Sequence, residues 1–216
     1  DLYEGGKATA KQLPTFLGNH DFGRFAREMR LAHPGAHDAE ILQRVLLGHA
    51  MLMTLRGVPT IYSGDEQGFA GDGNDQDARE DMFPSKVAVY NDNILVGTAA
   101  TTADSNFDTN HPIYKAVADL AKLRSEQVAL RRGDQIVRNY GEKPGLFAAS
   151  RIDRASGEEV LLVFNTSNEA LSANVEIGKA ATKLTALRGN CPSAPRLPGS
   201  VAITLPALGY MVCKVK

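Results

Sequence analysis

Hydrophobic and polar positions follow two different rhythms along this chain. Up to about residue 132 the apolar residues recur at helical spacing or bunch into short runs. From Asp134 onward they form short strands cut by turn residues. In the first part, Ile41, Leu42, Val45, Leu46, Met51, Leu52 and Leu55 predict a helix that Asp38 caps and that Gly57 stops in a left-handed conformation. This helix is apolar almost all round, which calls for cover on more than one side. Val58–Tyr62 reads as a short buried strand. With the apolar run that emerges before Gly18, the order is strand, helix, strand, which implies parallel pairing. A second helix is expected from Asn110 as cap and Pro112 in the first turn, with Ile113, Val117, Leu120 and Leu123 as its apolar stripe, running down to Arg132.

After Asp134 come "QIVRNY", "GLFAASRID", "EVLLVFNTS", "LSANVEIG", "TKLTALRG" and "VAITLPALGYMVCKVK", separated by turn clusters such as Gly141–Pro144, Arg154–Gly157 and Ser167–Glu169. That spacing predicts an antiparallel sandwich. Cys191 and Cys213 flank what reads as a final hairpin, so a disulfide and two buried free thiols both remain open. No CxxC motif is present. There is no internal repeat and no low-complexity tract.

Composition narrows the functional classes. The 216 residues can bury a real core, and 43% hydrophobic with 23% charged residues is ordinary for a globular protein. A net charge of −1 gives no long-range field for nucleic acid or an anionic membrane, and Arg131-Arg132 reads as a solvated helix end. The longest apolar run is broken by Gly48 and His49 and is too short to span a bilayer. The first residues are polar and carry no targeting pattern. The chain starts at Asp1 without Met, which reads as a piece of a longer chain or as a trimmed product. With no Trp, the strand-rich part is a poor free-standing sugar-binding module, although Tyr90, Tyr140 or Tyr210 could substitute.

Three places could carry chemistry. "TFLGNHDFGRF" ends an apolar run on His20-Asp21, where α/β proteins set reacting groups. The competing reading is a capping Asp beside a solvated His. Asp65-Glu66 follows the next strand and could equally be carboxylates pinning backbone. The acidic loop "GDGNDQDARED" invites calcium, yet counting from Asp72 its sixth position is Asp77, not the glycine of an EF-hand, and Arg79 is a lone cation among five acids. His33 and His37 are separated by Pro and Gly and share no helical face, and His49 reads as a core histidine. No Ser-His-Asp arrangement, phosphate loop or dinucleotide fingerprint occurs, so neither metal nor cofactor is expected.

"FLGNHD" followed by "GVPTIYSGDEQG" resembles the alpha-amylase family of glycoside hydrolases and transglycosidases, and the tail "HPIYKAVADLAKLRSEQVALRRG" and "LPALGYMVCKV" agrees in order. The resemblance implies an α/β plus all-β fold. Residues 1–132 would be the seventh and eighth units of a (β/α)8 TIM barrel, and 133–216 a C-terminal antiparallel β-sandwich. It further implies that Asp21 is the carboxylate stabilising an oxocarbenium-like transition state and that His20 hydrogen-bonds the hydroxyls of the sugar being cleaved. Asp75 and Arg79 would approach the glycone side, with Tyr62 and Glu66 shaping the lip. The family's nucleophile and acid/base motifs are absent from this sequence. A retaining mechanism needs two carboxyl groups about 5–5.5 Å apart, and Asp21 with Glu66 is a poor substitute. The expected substrate is therefore an α-glucan cleaved by a parent enzyme, with the isolated chain inert and partnered by the missing N-terminal part of the barrel or by itself. Alternatives are a non-catalytic glucan-binding or barrel-capping module, and a transglycosylase or cyclodextrinase parent. The expected location is periplasmic or secreted, with the cytoplasm as the alternative.

Overall fold

The computed structural model describes residues 11–73 and 75–216; the polar start of the chain and Asn74 of the acidic loop lie outside the described residues. Two compact units are present, one comprising Pro14–Leu52 and Pro59–Leu120, the other Met53–Val58 and Ala121–Lys216 with residues 11–13. Strands β1 (Pro14–Thr15) and β2 (Val58–Pro59) form a two-stranded sheet. Val58 N–H reaches Leu13 C=O at 2.9 Å and Thr60 N–H reaches Thr15 C=O at 2.8 Å, the stepping of a parallel pair. β2 is shorter than the expected Val58–Tyr62, because the chain turns at Gly64, whose φ of 97° only glycine adopts without strain.

Helix α1 spans Phe25–Ala32 and α2 spans Asp38–Thr54. Asp38 is the first helical residue rather than the cap: Ile41 N–H bonds His37 C=O at 3.0 Å, so the acid sits in the first turn, where the helix dipole favours it. Gly48 in mid-helix has a packing reason. A Cβ there would lie 2.5 Å from the Phe25 ring, so its absence lets α1 press against α2. His49 beside it is buried and bonds Val45 C=O at 2.8 Å, and burial pushes its imidazole below the usual range. Ile41, Val45, Ala26, Ala70, Val96 and Ile113 form the core of this unit. A short helix α3 (Ala88–Asn91) precedes α4 (Pro112–Glu126). The cap of α4 is His111 rather than Asn110, with Nδ1 accepting from Ile113 N–H at 3.2 Å. Pro112 as first helical residue fixes that register. The expected continuous helix to Arg132 breaks at Gln127, which is extended, and resumes as α5 (Val128–Arg132).

In the strand-rich unit two arginines close the end of α2. Arg124 donates to the carbonyls of Met53 (3.0 Å) and Gly57 (2.6 Å), and buried Arg151 donates to Thr54 C=O at 2.7 Å. Met53 and Thr54 are the last two residues of α2, where carbonyls find their partners outside the helix, and Gly57 lies three residues beyond it. The strands are β3 (Asp134–Asn139), β4 (Leu146–Asp153), β5 (Glu158–Asn165), β6 (Leu171–Glu176), β7 (Leu184–Arg188), β8 (Ser200–Leu205) and β9 (Tyr210–Val215). They make a five-stranded antiparallel sheet ordered β3-β4-β5-β9-β7 and a two-stranded sheet β6-β8. Leu161, Val163, Met211 and Cys213 from the first sheet share one core with Val175, Val201, Ile203 and Leu205 from the second. The expected final hairpin is not one: β8 pairs with β6, whereas β9 pairs with β5 and β7. Cys191 and Cys213 are joined in a disulfide.

Candidate active site

β1 leads straight to the loop that carries His20 and Asp21. Asn19 shapes it, its Oδ1 accepting from Asp21 N–H at 2.8 Å and Phe22 N–H at 3.1 Å. This Asx-type turn is a local alternative to strand pairing, and it lifts two polar side chains into solvent. His20 and Asp21 are each 65% exposed, and His20 Nε2 stands 3.4 Å from Asp21 Oδ2.

The acidic loop meets them. Arg79 donates from Nε to His20 C=O at 3.2 Å, lies 4.0 Å from Asp21 Oδ1 through Nη2, and pairs with Asp75 Oδ1. All four candidate residues from the sequence, His20, Asp21, Asp75 and Arg79, therefore share one exposed cluster. Asp75 adopts a left-handed backbone (φ 55°), which Asp tolerates better than most residues. Glu66 lies apart, its Oε2 accepting Gly64 N–H at 3.0 Å, and so holds the glycine turn.

Underneath lies a feature that sequence reasoning missed. Arg24, fully buried, donates from Nε to Glu80 Oε2 at 2.8 Å and from Nη1 to Asp65 Oδ1 at 3.0 Å and Ser63 C=O at 2.7 Å. Its guanidinium stacks 4.2 Å above the Tyr62 ring and 5.1 Å from the Phe69 ring. Burial raises the pKa of Asp65 and of Glu80 against the opposing pull of Arg24. One guanidinium thus ties three loops. Asp21 is three residues before Arg24, and Arg79 is next to Glu80, so the exposed cluster is anchored from below at both sides. The hint in the sequence was an arginine set among Gly23, Phe25 and Ala26, which needs counter-charges once it is buried.

A solvent-facing carboxylate, an imidazole and a forked guanidinium in one cluster suit a polyhydroxylated ligand, since they offer acceptors and donors at short range. Among the described residues, no group of three or more His, Cys, Asp or Glu is placed to hold a metal ion.

Known proteins are similar to this chain in sequence and in fold. The alpha-amylase catalytic-domain family model matches residues 5–133. The chain is 38% identical over 213 residues to an alpha-amylase of Streptomyces lividans, a match covering 98% of this chain and 23% of that protein. It is 27% identical over 241 residues to a cyclomaltodextrin glucanotransferase of Paenibacillus macerans, covering 97% of this chain and 29% of that one. The chain thus spans less than a third of either relative. In fold it is similar to an Anoxybacillus alpha-amylase, with a TM-score of 0.70 at 23% identity over 99% of this chain and 39% of that one. It is also similar to the Geobacillus thermoleovorans alpha-amylase complexed with acarbose, with a TM-score of 0.67 at 20% identity over 95% of this chain and 39% of that one. On the family match and the Streptomyces relative together, this chain belongs to the alpha-amylase family.

Proposed function

We propose that this chain is the C-terminal part of a retaining glycoside hydrolase acting on α-glucosidic bonds. In this reading the unit with β1, β2, α1, α2 and α4 supplies the seventh and eighth units of a (β/α)8 barrel, and the two antiparallel sheets form the C-terminal sandwich. The observation that carries it is Arg79 bridging the His20 carbonyl, Asp21 and Asp75. Asp21 faces solvent as a fixed negative charge and acceptor, placed to favour positive charge developing on a sugar ring. His20 orients hydroxyls of the same ring. Asp75 and Arg79 hold the next sugar on the glycone side. Asp21 and Asp75 both share Arg79, which fits charge stabilisation and positioning better than the paired nucleophile and acid/base of a retaining mechanism. Those two carboxylates belong to a part of the protein outside this sequence, which would also be the chain's natural partner. Hydrolysis is preferred over transfer because the relative 38% identical over 98% of this chain is an alpha-amylase, whereas cyclomaltodextrin glucanotransferases match at 27–33%. The disulfide Cys191–Cys213 supports a secreted or periplasmic location, where such bonds persist.

The test uses the 216-residue chain itself. It should release no reducing sugar from starch, maltotriose or cyclodextrin, yet bind maltotriose in calorimetry. Asp21→Asn should weaken that binding about tenfold, the scale of losing a charge-assisted hydrogen bond. Robust turnover by the chain alone would overturn the reading, and affinity that survives Asp21→Asn would favour a non-catalytic binding module.

A further inference from the structure

Arg79 links Asp21 to Asp75, yet a long side chain that is 45% exposed holds no direction by itself. On its C-terminal side the backbone is fixed at once, because the neighbouring Glu80 is bonded to buried Arg24. On its N-terminal side stands the short 3₁₀ turn Asp75–Ala78, which opens on the left-handed backbone of Asp75. Ala78 packs beneath that turn, fully buried, but a methyl group offers no directional contact. The directional contact comes from outside the loop. Tyr90 donates its hydroxyl to Gln76 C=O at 2.9 Å, and the same carbonyl accepts Arg79 N–H at 3.1 Å. A carbonyl oxygen has two lone pairs, so the two donors do not compete. Tyr90 is in turn fixed from behind. It lies in α3, and fully buried Thr102 donates its hydroxyl to Tyr90 C=O at 2.6 Å. The next residue, Asn91, donates from Nδ2 to Ser85 C=O at 2.8 Å, and Ser85 N–H bonds Thr102 C=O at 2.9 Å. These bonds form a circuit that holds the phenol where the acidic loop passes.

We infer that Tyr90 is a positioning residue for Arg79. Its hydroxyl, acting through the Gln76 carbonyl, holds the backbone from which Arg79 reaches His20 C=O, Asp21 and Asp75. The assignment rests on the function proposed above, which gives Arg79 its task at the bound sugar. A guanidinium donates only in the plane of its rigid fork, so a small swing of the turn misaims it even while the fold stays intact. Glu80 and the Gln76 carbonyl brace the arginine from its two sides, one through a buried ion pair and one through a neutral hydrogen bond. Only the hydroxyl of Tyr90 acts in this role, not the face of its ring.

Tyr90→Phe in the 216-residue chain tests this, because it removes the donor and keeps the ring. The bond lies at the surface, so water replaces it and the melting temperature should hold within about 4 °C. In hydrogen exchange without ligand, the Arg79 amide should exchange about two- to tenfold faster while amides of α2 keep their rates. Maltotriose affinity in calorimetry should fall by a similar two- to tenfold. A residue that acts through Arg79 matters only while Arg79 is present, so adding Tyr90→Phe to Arg79→Ala should cost no further affinity. Unchanged exchange at Arg79, unchanged affinity, or an equal loss in both backgrounds overturns the positioning role. A melting temperature that collapses overturns it too, since Tyr90 would then serve the fold as a whole. No maltotriose affinity in the unsubstituted chain overturns the proposed function, and with it any task for Tyr90 at the site, even where exchange at Arg79 rises.

Discussion

The two units are held together by different physics. The strand-rich unit is stitched by continuous antiparallel ladders, and its two sheets bury one apolar core that includes Leu161, Val163, Val201 and Ile203. Its chain is also closed by the Cys191–Cys213 bond. The unit carrying His20 and Asp21 has a smaller apolar cluster and a two-residue strand pair, and it relies on the buried Arg24–Asp65–Glu80 network to fix its loops. It also carries five of the six exposed aromatic residues, Phe16, Phe22, Phe83, Phe107 and Tyr114 against Tyr140 alone in the other, among the described residues. A unit satisfied by repeated backbone pairing has little left to offer a ligand. One built from loops over a buried ion network keeps its polar and aromatic groups outward.

Removing the network should therefore have the largest effect and spare the other unit. Arg24→Met leaves two buried carboxylates with no cation, a loss of about 3–5 kcal/mol, and should abolish maltotriose binding. Amide hydrogen exchange should rise across 15–32 and 62–81 while the β4-β5-β9 strands stay protected. The pH dependence has a definite sign. Asp65 and Glu80 already have raised pKa values, and losing Arg24 raises them further. Carboxyls that hold their protons more tightly when folded favour the folded state below their unfolded pKa and lose that contribution as pH rises through the folded one. The variant should thus recover stability on acidification from neutral pH. A variant equally unstable across that interval would show that the network's charge is not what holds the loops.

The converse break is smaller. Cys191→Ser with Cys213→Ser removes a bond closing a span of 22 residues, worth about 2–4 kcal/mol. Thermal unfolding should begin earlier, with faster exchange in β7 and β9, while maltotriose affinity stays unchanged. Lost affinity in that variant would show that maltotriose binding depends on more than the His20–Asp21 unit's own contacts.

The same contrast explains what the sequence disclosed. Strands β3 to β7 were legible because turn clusters such as Gly141–Pro144 and Arg154–Gly157 punctuate them, and α2 because its apolar spacing is long and regular. The exit of β8 into the other sheet was not, since "VAITLPALGYMVCKVK" reads the same whichever strand it pairs with. The caps of α2 and α4 shifted by one residue, to His37 and His111, because cap position depends on where the first hydrogen bond closes. His20 and Asp21 stand out at the end of an apolar run and Asp75 and Arg79 through motif resemblance, and the structure brings the four into one cluster. The Arg24–Glu80 pair spans 56 residues and leaves no local period. A buried ion pair is a tertiary fact, and only the odd polarity of Arg24 among apolar neighbours hinted at it.

The finest test concerns one side chain on the exposed loop. Asn19 Oδ1 accepts the N–H groups of Asp21 and Phe22, and removing it frees two donors that water can reach. Asn19→Ala should therefore change global stability by less than about 1 kcal/mol, since solvent replaces most of what is lost. Its effect on binding should be larger than that on folding. Without the turn, Asp21 samples several directions, and ordering it again on ligand binding costs about 0.5–1.5 kcal/mol, a two- to tenfold loss of maltotriose affinity. Asn19→Asp keeps an acceptor in place and should restore most of that affinity. If Asn19→Ala binds as tightly as the unsubstituted chain, Arg24 alone positions the loop, and the division of labour shifts from the exposed turn to the buried guanidinium.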